Sequence, residues 1–335
     1  MNLAQLAAKL NLSTAAVSKA LNDKPDISEE TRQLVKEAAK RYGYSPNIAA
    51  RQLKRGKTGV VALIMPPDGV NAYHTSYFFY KINVGLHKLL AAHDYLPFIY
   101  APTCAEDELK QIERFLSEKV VDCVILTDTH NNDERIKLLH SKGLPFAAMG
   151  RTDDERHLHC VDMDYEQMTY DAVHYALEQG YQRLAVVTFG DDCSFGWRIK
   201  EGFEQAISAH GLAPDEHSIH VMPKHDGVGA LALSQLMAQP TPPDFVLLVN
   251  DDVLYSALSY GRRHNLKLPQ MMCLNSSSEF FDFVNPCDHG FEIPFDELGA
   301  ALGEAVLHAI QDPKGTKPYH KIVQVPLKAL QRRTL

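Results

Sequence analysis

The sequence predicts two architectures in series: a small all-α helix-turn-helix head and a two-lobed α/β body. Three observations carry this. Residues 2–44 hold short helical periods separated by polar breaks. From Val60 onward, short apolar runs alternate with amphipathic helical segments. The charge also changes sign along the chain. Residues 1–57 hold 11 Lys or Arg against 5 Asp or Glu, a net of +6, and the remainder holds 23 against 37, a net of −14. A basic head on an acidic body suggests that the head alone meets a polyanion.

In the head, Leu3, Leu6, Ala7 and Leu10 fit one helical face. After the break Asn11–Thr14, Ser13 is a good N-cap for a second helix that buries Val17, Ala20 and Leu21. Ser28 can cap a third helix, with Thr31 where a Glu would complete a capping box. Leu34, Val35 and Ala38 are its expected buried face, and Gly43 ends it. Pro46 starts a short helix in a basic linker bounded by Gly56 and Gly59. The expected domains are 1–45, a linker 46–59 and a body 60–335.

A helix pair alone is explained as well by a plain hairpin as by a DNA reader. A reader must place the first turn of its second helix in the major groove. Here Ser13 starts that helix, Thr14 and Ala15 would face base edges, and Lys19 follows one turn later. Ala, or the Thr methyl, can touch a thymine methyl. Ser18 and Asn22 are candidate phosphate donors. The basic third helix and linker favour the reader.

The body's apolar runs include "VVALIMP", "LPFIYAP", "CVILTD", "LPFAAMG", "LAVVTF", "FVLLVN" and "MMCLNS". Between them lie amphipathic segments such as "YKINVGLHKLLAAH" and "GWRIKEGFEQAISAHG". Continuous apolar strands separated by helices imply parallel sheets covered on both faces, here two of them.

The order and spacing of "QLAAKLNLSTAAVSKALN" and "DISEETRQLVKEAAKRYGYSPNIAARQLKRGKTG" resemble the head of the lac repressor family of bacterial transcription regulators. Asn11 stands for the usual Gly, Ala16 for Thr and Lys19 for Arg, which removes the bidentate fork suited to guanine. The resemblance implies a hinge helix over Asn47–Lys54, with Asn47, Ala50, Leu53 and Lys54 at DNA and Leu53 wedged into a minor-groove step.

By the same resemblance, the body is a periplasmic-binding-protein-like effector domain, crossed between lobes near Cys160, Phe291 and Lys321. An effector would lie in the interlobe cleft, lined in part by the loop Asp68–Phe79. Its implied contacts are Tyr77, Phe78, Arg151, Asp164, Trp197, Arg198, Asn250 and Ser277. Two departures stand out. Arg198 lies four residues before Gly202 where the family has three, which puts Ile199 at the usual place. Ser277 replaces an aspartate that often binds sugar hydroxyls.

Bland readings stand beside these. Asp251–Asp252 after a strand suits a helix N-cap as well as an acid pair. Trp197, the only tryptophan, suits core packing as well as stacking on a sugar ring. "RHLHC", Arg156–Cys160, offers three metal-capable residues in four strand positions, which cannot all converge. No G-x-S-x-G, P-loop or other catalytic constellation appears. The reading is therefore a repressor and not an enzyme, with no metal and no cofactor. Its partners are double-stranded operator DNA, read as a palindrome by a homodimer, and a small-molecule effector, a sugar or sugar derivative. A purine or other non-sugar metabolite is the alternative effector, and a sugar-binding transport component the alternative class. No secretion signal or membrane span is read, the six cysteines suit a reducing compartment, and the expected location is cytoplasmic, nucleoid-associated when bound to DNA. The ending "VPLKALQRRTL" is too short for a tetramerising coiled coil.

If Leu53 wedges into the operator, Leu53→Ala lowers specific operator affinity in a gel-shift titration while the melting temperature of the free protein stays within a degree or two. Unchanged operator affinity overturns the assignment.

Overall fold

Asn2 opens the chain's first helix with a reciprocal cap: its side chain accepts from the Gln5 N–H, and the Gln5 side chain accepts from the Asn2 N–H. The computed structural model describes residues 1–21, 23–44, 56–66, 72–190, 193–212, 219–223, 227–276 and 287–330. By internal contacts the chain divides into Met1–Gly59 and Val60–Leu335.

The first unit holds α1 (Leu3–Leu10), α2 (Thr14–Leu21) and α3 (Glu29–Arg41). Asn11 ends α1 in the left-handed region, at φ 52°. Asn tolerates that conformation better than most non-glycine residues, which explains how it can serve as a left-handed cap here. The hydroxyl of Ser13 accepts from the Ala16 N–H at 3.1 Å, and that of Ser28 from the Thr31 N–H at 3.3 Å. Leu6, Ala7, Val17, Ala20, Val35, Ala38 and Ala39 form the core. One expectation is corrected: Leu34 is 51% exposed. The packing face of α3 is centred on Val35, Ala38 and Ala39, and Leu34 falls at its edge. The expected hinge, with Asn47, Ala50, Leu53 and Lys54, lies outside the described residues, as does Asn22.

The second unit carries two parallel sheets. The first orders its strands β11 (His320–Val323), β5 (His159–Met163), β4 (Phe146–Met149), β3 (Cys123–Leu126), β1 (Val60–Ile64) and β2 (Leu96–Tyr100). The second orders β7 (Ile219–Met222), β6 (Leu184–Phe189), β8 (Phe245–Asn250) and β9 (Gln270–Asn275). A short antiparallel pair, β10 (His289–Phe291) and β12 (Leu327–Ala329), lies beside them. The apolar runs are β1, β2, β3, β4, β6, β8 and β9, of which β2 and β9 lie at sheet edges; β3, β4, β6 and β8, with β5, are buried along their whole length. Burial of both faces explains why they read as continuous apolar runs. The strands β7, β10, β11 and β12 are short and partly exposed, so they carry no such run.

The connecting helices are α4 (Ala72–Ala92), α5 (Ala105–Glu118), α6 (Glu134–Lys142), α7 (Tyr165–Glu178), α8 (Ser194–Ala209), α9 (Val228–Met237), α10 (Asp251–Arg263) and α11 (Phe295–Gln311). The chain passes between the sheets after β5, after β10 into α11, which packs on the first sheet, and again after β11. The expected pocket loop Asp68–Phe79 is corrected over its second part, since α4 already runs from Ala72. Residues 67–71 lie outside the described residues. Phe78, Ile82, Leu86 and Leu90, spaced by four, are all buried, so the helical period reaches further forward than the segment starting at Tyr80.

α4 and α11 approach closely because glycines face each other. A Cβ on Gly299 would lie 2.2 Å from the Ile82 carbonyl oxygen and 2.7 Å from the Leu86 nitrogen. A Cβ on Gly303 would meet the flexible end of Leu89 instead. Gly299→Ala therefore lowers unfolding free energy by about 1–3 kcal/mol, because backbone must move. Gly303→Ala costs less, since a side chain can give way. Urea denaturation of both variants checks the order.

Candidate nucleic-acid interface and interlobe cleft

On α2, Val17 and Ala20 anchor the helix in the core. Thr14, Ala15, Ser18 and Lys19 fall on the other side, spaced to share a face. Ser13, Thr14, Ala15 and Lys19 are exposed, and Ser18 is half-buried. Lys19 is not idle: its ammonium pairs with Asp26, whose carboxyl is held below its usual range by that hydrogen bond. Arg32 and Lys36 of α3 likewise meet Asp23, at 3.4 and 2.6 Å. The Lys19–Asp26 and Lys36–Asp23 pairs are exposed and therefore weak.

In the body, the carboxyl ends of strands from both sheets supply one polar cluster. Arg151 follows β4, and its Nε donates to Oδ2 of Asp162 on β5 at 3.2 Å. Both are buried. Burial pushes the Asp162 carboxyl up, and Arg151 opposes the rise. Arg198, on α8 of the second lobe, reaches Glu155 of the first at 3.3 Å. Its guanidinium lies 4.3 Å over the Trp197 ring. Burial first, then the charge of Arg151, lowers its pKa. A β-bridge between His130 and Cys193 also joins the lobes.

Tyr165 is buried and accepts from Asn275 Nδ2 at 3.1 Å. Trp197 Nε1, Arg198 Nε and Asn275 Oδ1 are buried with no hydrogen-bond partner among the described residues. The site thus holds two cations, two anions, and unpaired groups of both kinds, N–H donors and a carbonyl acceptor.

The other expected contacts sort differently. Asp164 caps α7, accepting from the Gln167 N–H at 3.2 Å, and also accepts from Gln324 Nε2 at 2.8 Å. Asn250 Oδ1 caps α10 through the Val253 N–H at 3.0 Å, so the cap is Asn250, with Asp251 and Asp252 in the first turn behind it. Phe78 is core, packed edge-on against Phe79 and Phe295. Tyr77 is half-buried beside Lys81 and Tyr80. Ser277 lies outside the described residues.

Two family descriptions match this chain: "Bacterial regulatory proteins, lacI family" over residues 2–47, and "Periplasmic binding proteins and sugar binding domain of LacI family" over residues 58–316. The chain belongs to the LacI family. It is a DNA-binding transcriptional regulator, and members of the family are not enzymes. The HTH-type transcriptional regulator AglR of Rhizobium meliloti is 29% identical, covering 91% of this chain and 85% of that one. RafR of Escherichia coli is 30% identical over 75% of this chain and 73% of its own length. The structure of a transcriptional regulator CelR–cellobiose complex superposes with a TM-score of 0.72 at 21% identity, covering 98% of both chains. Among the described residues, no helix is long and apolar enough to cross a membrane.

Within that family frame, the glycine and arginine of α8 can be read physically. A Cβ on Gly202 would lie 2.2 Å from the Glu166 carbonyl oxygen, so this glycine sets the approach of α8 to α7. Ile199, at the usual arginine position, is core. One residue earlier, Arg198 is turned by about 100° around the helix and faces the first lobe. Sequence reasoning missed Glu155, Asp162, Tyr165 and Asn275. The signal for Asp162 was a carboxylate between the apolar residues Val161 and Met163, and for Asn275 a polar residue ending an apolar run, as Asn250 does.

Arg151→Met leaves Asp162 buried without its nearest cation. Removing one partner of a buried pair costs about 3–5 kcal/mol, and the lower end applies because Arg198 also faces Asp162. An acid whose folded pKa is raised further gains folded-state stability as pH falls. The deficit of Arg151→Met against the wild type therefore shrinks between pH 7 and pH 5, measured by urea denaturation at each pH.

Proposed function

We propose that this regulator binds a palindromic operator as a homodimer and is controlled by a neutral carbohydrate held in the interlobe cleft. One observation carries the effector class. The cleft's charges balance, Arg151 against Asp162 and Arg198 against Glu155. What it leaves unpaired among the described residues is both donor and acceptor: Trp197 Nε1, Arg198 Nε and Asn275 Oδ1. A hydroxyl both donates and accepts, so a polyol serves all three, whereas a phosphate or carboxylate serves only the donors. An anion also meets two carboxylates there. The Trp197 ring supplies the apolar face against which a sugar ring stacks. The cellobiose complex among similar structures and the sugar-binding description of the matched family support the same class. Of the expected contacts, Trp197, Arg198 and Arg151 are retained, with Asp162, Tyr165 and Asn275 added. Tyr77, Asn250 and Ser277 remain proposed at the margin, while Asp164 and Phe78 have structural employment.

For DNA, Ser13, Thr14, Ala15, Ser18 and Lys19 present the reading face, and Lys19 exchanges Asp26 for DNA on binding. Asn22, Asn47, Ala50, Leu53 and Lys54 complete the assignment from the sequence pattern. A dimer is supported by exposed apolar side chains on the sheet edges: Tyr80 and Val84 on α4 with Leu96 and Ile99 on edge strand β2, and Val221 on edge strand β7 with Leu231 on α9. Such residues at an unpaired edge call for a cover, and a second copy with two-fold symmetry suits a palindromic site. The regulator then acts in the cytoplasm. Effector and operator are linked, so each shifts the other's affinity by the same factor.

Trp197 is the sole tryptophan, so its fluorescence reports the cleft directly. Titration with neutral mono- and disaccharides gives a saturable fluorescence change with at least one of them. The same sugar raises unfolding free energy by about 2.7 kcal/mol at a hundredfold excess over Kd. A response confined to nucleosides, nucleobases or sugar phosphates overturns the carbohydrate reading.

A further inference from the structure

The cleft's Glu155, which pairs with Arg198, also belongs to a second constellation. Cys160 on β5 and His320 on β11 are lateral register partners in adjacent parallel strands. Such partners project to the same face of the sheet. Glu155 is brought over them by a turn, in which the Leu158 N–H donates to the Glu155 carbonyl. The ligand-capable atoms of Glu155, Cys160 and His320 all lie within 4.8 Å of one another. Donors around a tetrahedral zinc ion sit about 3.5 Å apart, a difference that rotation of the partly exposed Glu155 side chain can narrow.

The tautomer of His320 is set for a ligand. Its Nε2 lies 3.1 Å from the Glu155 carbonyl and 2.9 Å from the Leu158 carbonyl. Carbonyls only accept, so Nε2 carries the proton and Nδ1 keeps its lone pair. A ring N–H anchored on a backbone carbonyl is the outer-shell arrangement that orients metal-binding histidines.

We propose that Cys160 Sγ, a His320 ring nitrogen and a Glu155 carboxylate oxygen bind a divalent transition metal of the zinc class, with water completing the tetrahedron. The thiolate and imidazole donors select such an ion over magnesium or calcium. As the sulfur–metal bond forms, the Cys160 proton leaves to solvent. Burial, and then the charge of Glu155, push that thiol up to about 12. Glu155 can ligate the ion only by leaving Arg198, so the metal competes with the ion pair that ties the two lobes together.

The test is a Co2+ titration of the full chain, followed by the near-ultraviolet thiolate-to-cobalt charge-transfer band. The wild type gives the band at one equivalent, and Zn2+ displaces it. C160S abolishes it, while C104S, which changes the exposed cysteine, retains it. H320A, at an exposed edge-strand position, weakens binding by about tenfold or more. R198A, which releases Glu155, tightens it by about threefold or more. Melting temperatures confirm that each variant is folded. No band in the wild type, or a band that survives in C160S, overturns the site. An unchanged affinity in R198A overturns the competition for Glu155. None of these readouts involves an effector, so they stand apart from the carbohydrate reading.

Discussion

Parallel strand pairing is the constraint on which the rest of this molecule depends. A parallel pair cannot close through a tight turn, so each strand is followed by a long crossover. Those crossovers are the helices that cover both faces of each sheet. They bury β3, β4, β5, β6 and β8 throughout and leave the strand ends as the place for polar chemistry. Arg151, Asp162, Asn250 and Asn275 all lie at or near the carboxyl ends of such strands. The backbone of Asp162, Asn250 and Asn275 is held in the ladder, and Arg151 follows two residues after β4.

The two lobes are joined by polar contacts as well as by three chain crossings. The Glu155–Arg198 pair and the His130–Cys193 bridge span the gap. A partly exposed ion pair is a modest tie, and its modesty suits a regulator. A ligand that favours one lobe arrangement needs only a few kcal/mol of differential binding to shift the population. The same pair places Glu155 where a cleft ligand and a metal ion at Cys160 and His320 would both act on it.

Small residues set the helix spacing around this frame. Gly299 permits α11 to lie against α4, and Gly202 permits α8 to lie against α7. The second contact explains a glycine that a sequence pattern can only report. With Gly202 fixed by packing, the arginine four residues before it faces the first lobe, and Ile199 turns to the core.

The sequence by itself determined the head, the alternation of strands and helices, and the family. Each of those is written in local periods: spacing along one helix face, apolar runs long enough for one strand, and a cap residue before each helix of the head. Ser13, Ser28 and the runs from "VVALIMP" to "MMCLNS" could be placed for that reason. It also marked Arg151, Trp197 and Arg198. It misplaced Leu34, which lies at the edge of a helix face, and it stopped α4 short, where aromatic residues hid a period of four. Only the tertiary structure decided which distant groups meet. Glu155 and Arg198 come from different lobes, and Cys160 and His320 are joined by the pairing of β5 with an edge strand that carries no apolar run. Strand order and lobe approach are set by the packing of whole layers, and no local spacing records them.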